Sequence, residues 1–241
     1  MIARHQHIAG LQAADDAAYR QACADALEKL ADQYDPCAFL MELVQGEGGV
    51  HALDQEFVDK AAELCKSRDI LFIDDEVQVG IGRSGTLFAF EQYGIKPDIV
   101  SFAKGIGAGL PIGGIICGPK TCDVLVPGDH GSTFGMNPVA CAGACVVLDT
   151  LDDAFLDSVK AKSEMIRSEL AKMKKVTGLD GLGLMIGIDL DGMTGAEAVN
   201  RLMEEGVLAI PAGQRLRLLP PLTISEDEIK TALEAMRRVL D

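Results

Sequence analysis

Two short apolar runs in the middle of the chain end in charged residues, and they constrain the fold more than any other feature. Ile70-Leu-Phe-Ile-Asp74-Asp75 turns acidic at its end. Asp98-Ile-Val-Ser-Phe-Ala103 delivers Lys104 into the glycine-rich stretch Gly105-Ile-Gly107-Ala-Gly109-Leu-Pro111. Both runs read as strands. Parallel strands of an open α/β sheet line up their carboxyl ends along one crevice, where ligands bind. A carboxylate and an amine placed at two such ends belong to one site.

The surrounding pattern supports a layered α/β architecture. Residues 16–33 read as an alanine-rich helix with Leu27, Leu30 and Ala31 on one face. Ala38 to Glu42 reads as a buried strand leading into the glycine loop Gln45 to Val50. Asp54 is placed to cap a helix running to about Ser67, with Phe57, Ala61, Ala62 and Leu64 as its apolar stripe. Strands follow near 70–75, 98–103 and 112–117. Asn137-Pro138 then opens an apolar helix to about Leu151, with proline in the first turn. Strand and helix alternating in this way indicate α/β layers.

Beyond about residue 150 the composition shifts. A charged helix is expected over 154–173, a strand from Leu182 to Leu190, a helix over 194–205, and short strands at 206–210 and 215–219. Ser225-Glu-Asp-Glu228 is a capping box that starts a last helix reaching Leu240. The division is therefore a helical segment at 1–36 with no assigned role, a large domain at 37–150 and a small α+β domain at 151–241.

Charge and cysteines narrow the partners. A net charge of −15 over 241 residues argues against nucleic acid and anionic membrane surfaces. The chain has seven cysteines and no Cys-x-x-Cys, and most of them fall in apolar runs. They read as buried free thiols of a reducing cytoplasm. The four histidines show no metal-ligand spacing with them. No apolar run reaches membrane-spanning length, and the N-terminus lacks a signal-peptide core.

The chemistry suggested by the two strand ends is that of pyridoxal phosphate. A lysine forms a Schiff base with its aldehyde, and a fixed anion keeps its ring nitrogen protonated. Asp75 is the candidate anion. Asp74 precedes it, and strand alternation sends the two side chains to opposite faces. A solvated strand end is the competing reading of Asp75-Glu76. It loses force because Gln78, Gly80, Gly82, Arg83 and Gly85 follow without a break. Lys104 is the candidate amine, expected in a partly apolar pocket. A lone lysine at a strand end is otherwise usually a surface residue. His130 to Pro138 places hydroxyls, Thr133 among them, just before a helix N-terminus; a phosphate site and an ordinary N-cap cluster both fit. Arg217 sits among apolar residues and needs a carboxylate. A substrate carboxylate and a structural salt bridge carry equal weight, with Glu47 of the glycine loop as a resting partner.

These segments together resemble class III aminotransferases, which are fold-type-I pyridoxal-phosphate enzymes. The resemblance rests on Glu42-Leu-Val-Gln-Gly-Glu47-Gly-Gly-Val, Asp75-Glu-Val-Gln-Val-Gly-Ile-Gly-Arg-Ser-Gly85, Pro97-Asp-Ile-Val-Ser-Phe-Ala-Lys104-Gly and His130-Gly-Ser-Thr-Phe-Gly. They keep the family's order over about residues 37–241. Gly183-Leu-Met-Ile-Gly and Arg217-Leu-Leu-Pro-Pro-Leu-Thr-Ile are most similar to the acetylornithine branch of that family. The resemblance implies a mostly parallel sheet flanked by helices, as part of the large domain, followed by the small α+β domain.

The resemblance also implies roles. Lys104 would hold the cofactor covalently, Asp75 would face its ring nitrogen, Val77 would pack on the ring and Gln78 would lie near its phenolic oxygen. Thr133 would bind the cofactor phosphate of a neighbouring subunit in a homodimer. Arg217 would take the α-carboxylate with Glu47 as its exchangeable partner, and Glu42 would sit beside the reacting end of the substrate. The implied reaction moves the terminal amine of N-acetylornithine, or a similar ω-amine, to 2-oxoglutarate in arginine biosynthesis. Two features depart from the family. Leu43 and Met136 replace a common proline and glycine. The family's N-terminal half, with its phosphate cup and ring-stacking aromatic, has no counterpart here. A non-catalytic paralogue, or a subunit completed by another chain, is the rival expectation. That absence also predicts an apolar patch beside the strands at 70–75 and 98–103.

Overall fold

The computed structural model describes residues 16–241, with side chains from residue 21. Residues 1–15 of the unassigned 1–36 segment lie outside the described residues. The elements run α1 (Asp16–Tyr34), β1 (Ala38–Met41), β2 (Val44–Gln45), β3 (His51–Ala52), α2 (Gln55–Ser67), β4 (Leu71–Asp75), α3 (Phe90–Tyr93), β5 (Ile99–Phe102) and β6 (Gly114–Cys117). They continue with α4 (Pro138–Thr150), α5 (Asp153–Leu170), β7 (Val176–Asp180), β8 (Ile186–Leu190), α6 (Gly195–Glu204), β9 (Ile210–Ala212), β10 (Arg215–Leu218) and α7 (Glu226–Leu240).

Two sheets organise the chain. The first has the order β1-β4-β5-β6, parallel through β1, β4 and β5 and antiparallel at β6. The α2 helix covers one of its faces. Asp54 caps that helix by accepting from the Glu56 amide, and Val58, Ala61 and Cys65 fall on its buried side. They pack with Phe72, Met41 and Ile70 in one apolar cluster, where the Phe39 and Phe72 rings meet edge to face. The opposite face stays partly open. Leu40, Ile73, Ile99 and Ser101 share it by register, and Leu40 and Ile115 are 54% and 51% exposed. This is the apolar patch expected beside the two strands.

The second sheet is antiparallel, with the order β7-β8-β10-β9. α5 and α7 cover it. Val159, Ile166 and Leu170 of α5 and Ile229, Leu233, Met236 and Leu240 of α7 meet Ile186, Ile188 and Leu216. Spacings of three, four and seven residues make each helix one-sided. Capping boxes at Ser225–Glu228 and Thr194–Glu197 start α7 and α6.

Several expectations are corrected. Leu30 is 46% exposed; of the expected face, Leu27 and Ala31 meet the core. The strand expected over Leu182–Leu190 begins at Ile186, after a turn; the one at 206–210 is found at Ile210–Ala212. β7 and the short β2–β3 pair were not anticipated. Of the cysteines only Cys65 is buried. Cys37, Cys122 and Cys145 are exposed, since they fall at element edges and on an uncovered side of α4.

Candidate active site

Strand alternation on β4 separates two acids. Asp74 is fully buried on the Phe72 side, whereas Asp75 lies on the partly open side. The Asp75 Oδ1 accepts from the Ser101 hydroxyl at 3.1 Å and from the Val77 amide at 3.1 Å. Ser101 is its register partner on β5, so the neighbouring strand and the turn after β4 both aim this carboxylate. Lys104 follows directly beyond β5 and opens a 3-10 turn at φ 51°. Left-handed backbone at a lysine is costly and is characteristic of functional turns. Ile106 packs toward Ile81, Phe88 and Val100. The turn thereby seats its apolar residue and leaves the Lys104 side chain exposed, not in the apolar pocket expected from the sequence.

The glycine loop after β2 brings in the second part. Glu42 Oε2 accepts from the Gly46 amide at 2.9 Å and sets the start of the loop. A side chain at position 46 would lie 2.5 Å from Gln78 Oε1, so glycine is what lets Gln78 reach across. Arg217 on β10 donates through Nη1 to Glu47 Oε1 at 3.0 Å, and Gln78 stands at 3.5 Å from both. Arg217 is 6% exposed, and its Nε has no partner among the described residues. Glu47, by contrast, has a side chain 75% exposed. The hydrogen bond from Arg217 and its charge hold the Glu47 carboxyl below its ordinary value; the charge of Lys104 adds to this. Lys104, Glu47, Gln78 and Arg217 thus share one electrostatic neighbourhood. A buried guanidinium faces an exposed carboxylate, and a soluble carboxylate can replace that partner.

Thr133 is not brought to this cluster. It is exposed in the segment between β6 and α4. Asn137 performs the capping at that helix start, its Oδ1 accepting from the amides of Val139 and Ala140. Val77 is half-buried in the turn that closes over Asp75. Ser101 escaped the sequence reading, although its place opposite Asp75 follows from pairing the two strands. Arg215, His51 and Asp180 escaped as well. They join the end of the glycine loop to the second sheet.

Comparison with known proteins gives a consistent picture. The family described as Aminotransferase class-III matches residues 3–240. The match takes in residues 3–36, which the sequence reading sets outside the resemblance. Acetylornithine aminotransferase of Haemophilus ducreyi is 46% identical over 209 residues, which cover 86% of this chain and 53% of that protein. The Synechocystis protein of the same name is 44% identical over 213 residues, covering 84% and 49%. Among solved structures, acetylornithine aminotransferase from Elizabethkingia anophelis matches with a TM-score of 0.82 at 34% identity, over 90% of this chain and 57% of that one. An ornithine aminotransferase from Toxoplasma gondii, described with partial occupancy of PLP at its active site, gives 0.81 at 33%, over 92% and 53%. The chain spans about half the length of the curated relatives it matches.

Proposed function

Because this chain belongs to the class-III aminotransferase family, we propose that it is the lysine-bearing part of a pyridoxal-phosphate enzyme. That enzyme transfers the terminal amine of N-acetylornithine, or a related ω-amine, to 2-oxoglutarate in arginine biosynthesis. The observation that carries this reading is the neighbourhood shared by Lys104, Gln78 and the Arg217–Glu47 pair, with Asp75 at the end of the strand that pairs with the one leading to Lys104. The donor set fits the cofactor: a half-buried carboxylate suits a protonated ring nitrogen, and an exposed primary amine suits an aldehyde. When bound, pyridoxal phosphate supplies the aldehyde that takes up the amino group and a ring that withdraws electrons.

The chain's own residues do the rest. Lys104 Nζ would hold the cofactor and would carry a proton to and from the reacting carbon. Asp75, fixed by Ser101 and Val77, would present its charge to the ring, Val77 would pack on the ring and Gln78 would lie near its oxygen. Arg217 grips the α-carboxylate of the amino donor, and Glu47 takes its place when the site is vacant. Glu42 holds the loop and stands toward the reacting end. Thr133 would bind the cofactor phosphate of a neighbouring subunit in a homodimer, with 37–150 as the large domain and 151–241 as the small one. The free thiols suit a cytoplasmic protein, and among the described residues no helix is long and apolar enough to cross a membrane. One observation favours a second reading, association with a chain that supplies the remaining half of the fold: the partly open sheet face bearing Leu40 and Ile115.

The test is direct. The purified chain is incubated with pyridoxal phosphate, reduced with borohydride and digested for mass spectrometry. The adduct is expected on Lys104. Lys104→Ala removes it, while Lys96→Ala and Lys120→Ala leave it in place. A dominant adduct on another lysine, or none at any cofactor concentration, defeats the reading.

A further inference from the structure

We propose that Arg215 is a positioning residue of the carboxylate site: it anchors the loop that carries Glu47 and so sets how strongly Glu47 competes for Arg217. This deepens, and rests on, the reading of Arg217 as the partner of a substrate carboxylate. Arg215 and Arg217 alternate onto the same face of β10, toward the glycine loop. Arg217 takes the carboxylate of Glu47, early in that loop. Arg215 takes the other end.

The Arg215 geometry is that of a clamp. Its Nε and Nη2 donate to Asp189 Oδ1 and Oδ2, both at 2.7 Å, a two-pronged grip that fixes the guanidinium plane. Its Nη1 then faces the carbonyls of Val50 at 3.0 Å and Gly49 at 3.3 Å. The same nitrogen lies 3.0 Å from Asp180 Oδ2 and 3.0 Å from His51 Nδ1. Asp180 also accepts from the Ala52 amide at 3.1 Å. The backbone from 49 to 52 is therefore tied to β7, β8 and β10 at once.

The loop needs this tie. Val50 is fully buried at φ 57°, a left-handed conformation that a β-branched residue adopts only when its surroundings enforce it. It is seated on Gly187, where an added Cβ would lie 2.9 Å from Val50 Cβ. Between the two anchors, Glu42 at the start and Arg215 at the end, only Glu47 and Gly48 are exposed. Glu47 is thus held at a fixed reach from Arg217 by a residue that does not touch it. A lysine at 215 keeps the charge near Asp180 and Asp189, but has no planar fork to grip a carboxylate and two carbonyls together.

Two measurements on the 241-residue chain test this. The Glu47 side-chain carboxyl is followed by carbon-detected NMR through an acid titration, and the affinity for glutarate is measured by calorimetry. Arg215→Gln and Arg215→Lys are each expected to move the Glu47 midpoint up by about half a unit to one unit, toward ordinary glutamate. Both are expected to tighten glutarate binding about fivefold. In a Glu47→Gln background the same substitutions change glutarate affinity little, since the competitor is gone. If circular dichroism shows that Arg215→Gln does not fold, Arg215→Lys decides alone. A wild-type Glu47 midpoint in Arg215→Lys overturns the proposal, as does an equal gain in glutarate affinity with and without Glu47. If Arg217→Gln leaves glutarate binding unchanged, the functional reading of Arg217 has failed, and the Glu47 titration still judges Arg215.

Discussion

Replacing Asp74 by asparagine is expected to stabilise the chain above neutral pH and leave it unchanged in mild acid. Asp74 and Glu76 leave β4 on the same side and are both fully buried. Glu76 Oε1 accepts from the Phe90 amide at 2.9 Å. Its other oxygen and both oxygens of Asp74 meet no donor among the described residues. Two anions cannot lie side by side there, so one proton is retained between them. Burial, reinforced by the Glu76 charge, raises the Asp74 carboxyl well above its ordinary value; burial raises Glu76 too, against the pull of the Ala89 and Phe90 amides. The sign follows from proton counting. Between an unfolded value of about 3.9 and the raised folded value, the native state holds one proton more than the unfolded chain, so stability falls as pH rises. The slope is at most about 1.4 kcal/mol per unit, which gives up to about 4 kcal/mol from pH 5 to pH 8, whichever of the two carboxyls carries the proton. The asparagine amide donates to Glu76 at every pH. Urea unfolding at pH 5, 6, 7 and 8 should show the wild-type midpoint falling and the Asp74→Asn midpoint nearly level at unchanged m. Parallel slopes for the two proteins, or an asparagine variant less stable at pH 8, would refute the shared proton.

Two further outcomes are expected. Gly187→Ala should cost about 2–3 kcal/mol in urea unfolding, because its methyl would overlap Val50 and the Gly49 carbonyl, which lies 2.9 Å from the Cβ position; a loss under 0.5 kcal/mol would mean the loop is not seated there. Leu40→Lys with Ile115→Lys should lower the binding of a hydrophobic dye and reduce self-association, while shifting stability by no more than about 0.5 kcal/mol; undiminished dye binding would place the sticky surface elsewhere.

Helices with caps and one-sided stripes were legible in the sequence, because cap and stripe are local. Asp54 before α2, Asn137-Pro138 before α4 and the Ser225 box before α7 announce their helices within a few residues. β7 was hidden because Val176-Thr-Gly-Leu-Asp180 holds a glycine and a bulge, and only its pairing with β8 makes it a strand. β2 and β3 are two residues each, too short for any period to appear. The thiols were misjudged for a related reason: an apolar run tells that a surface is covered only if something is there to cover it, and the side of α4 bearing Val139 and Val146 is exposed.

The site divides along the same line. Asp75 and Lys104 were visible because each ends an apolar run, and the crevice rule joins strand ends far apart in sequence. Glu47 and Arg217 were visible as a pair because a buried cation demands an anion, and a glycine loop can carry one to it. Nothing local marks Arg215. It stands two residues before Arg217 and reads as one more charge on a short strand. Its meaning comes from Asp180, Asp189 and the carbonyls of Gly49 and Val50, and the last two lie more than 160 residues away in the chain. Asp74 shows the converse case. Alternation predicts that it turns away from Asp75, but only the packing of α2 and the turn through Phe90 decides that the side it turns to is dry. A residue that makes chemistry is announced by its own neighbours, whereas a residue that holds another in place is announced by groups that folding alone brings near.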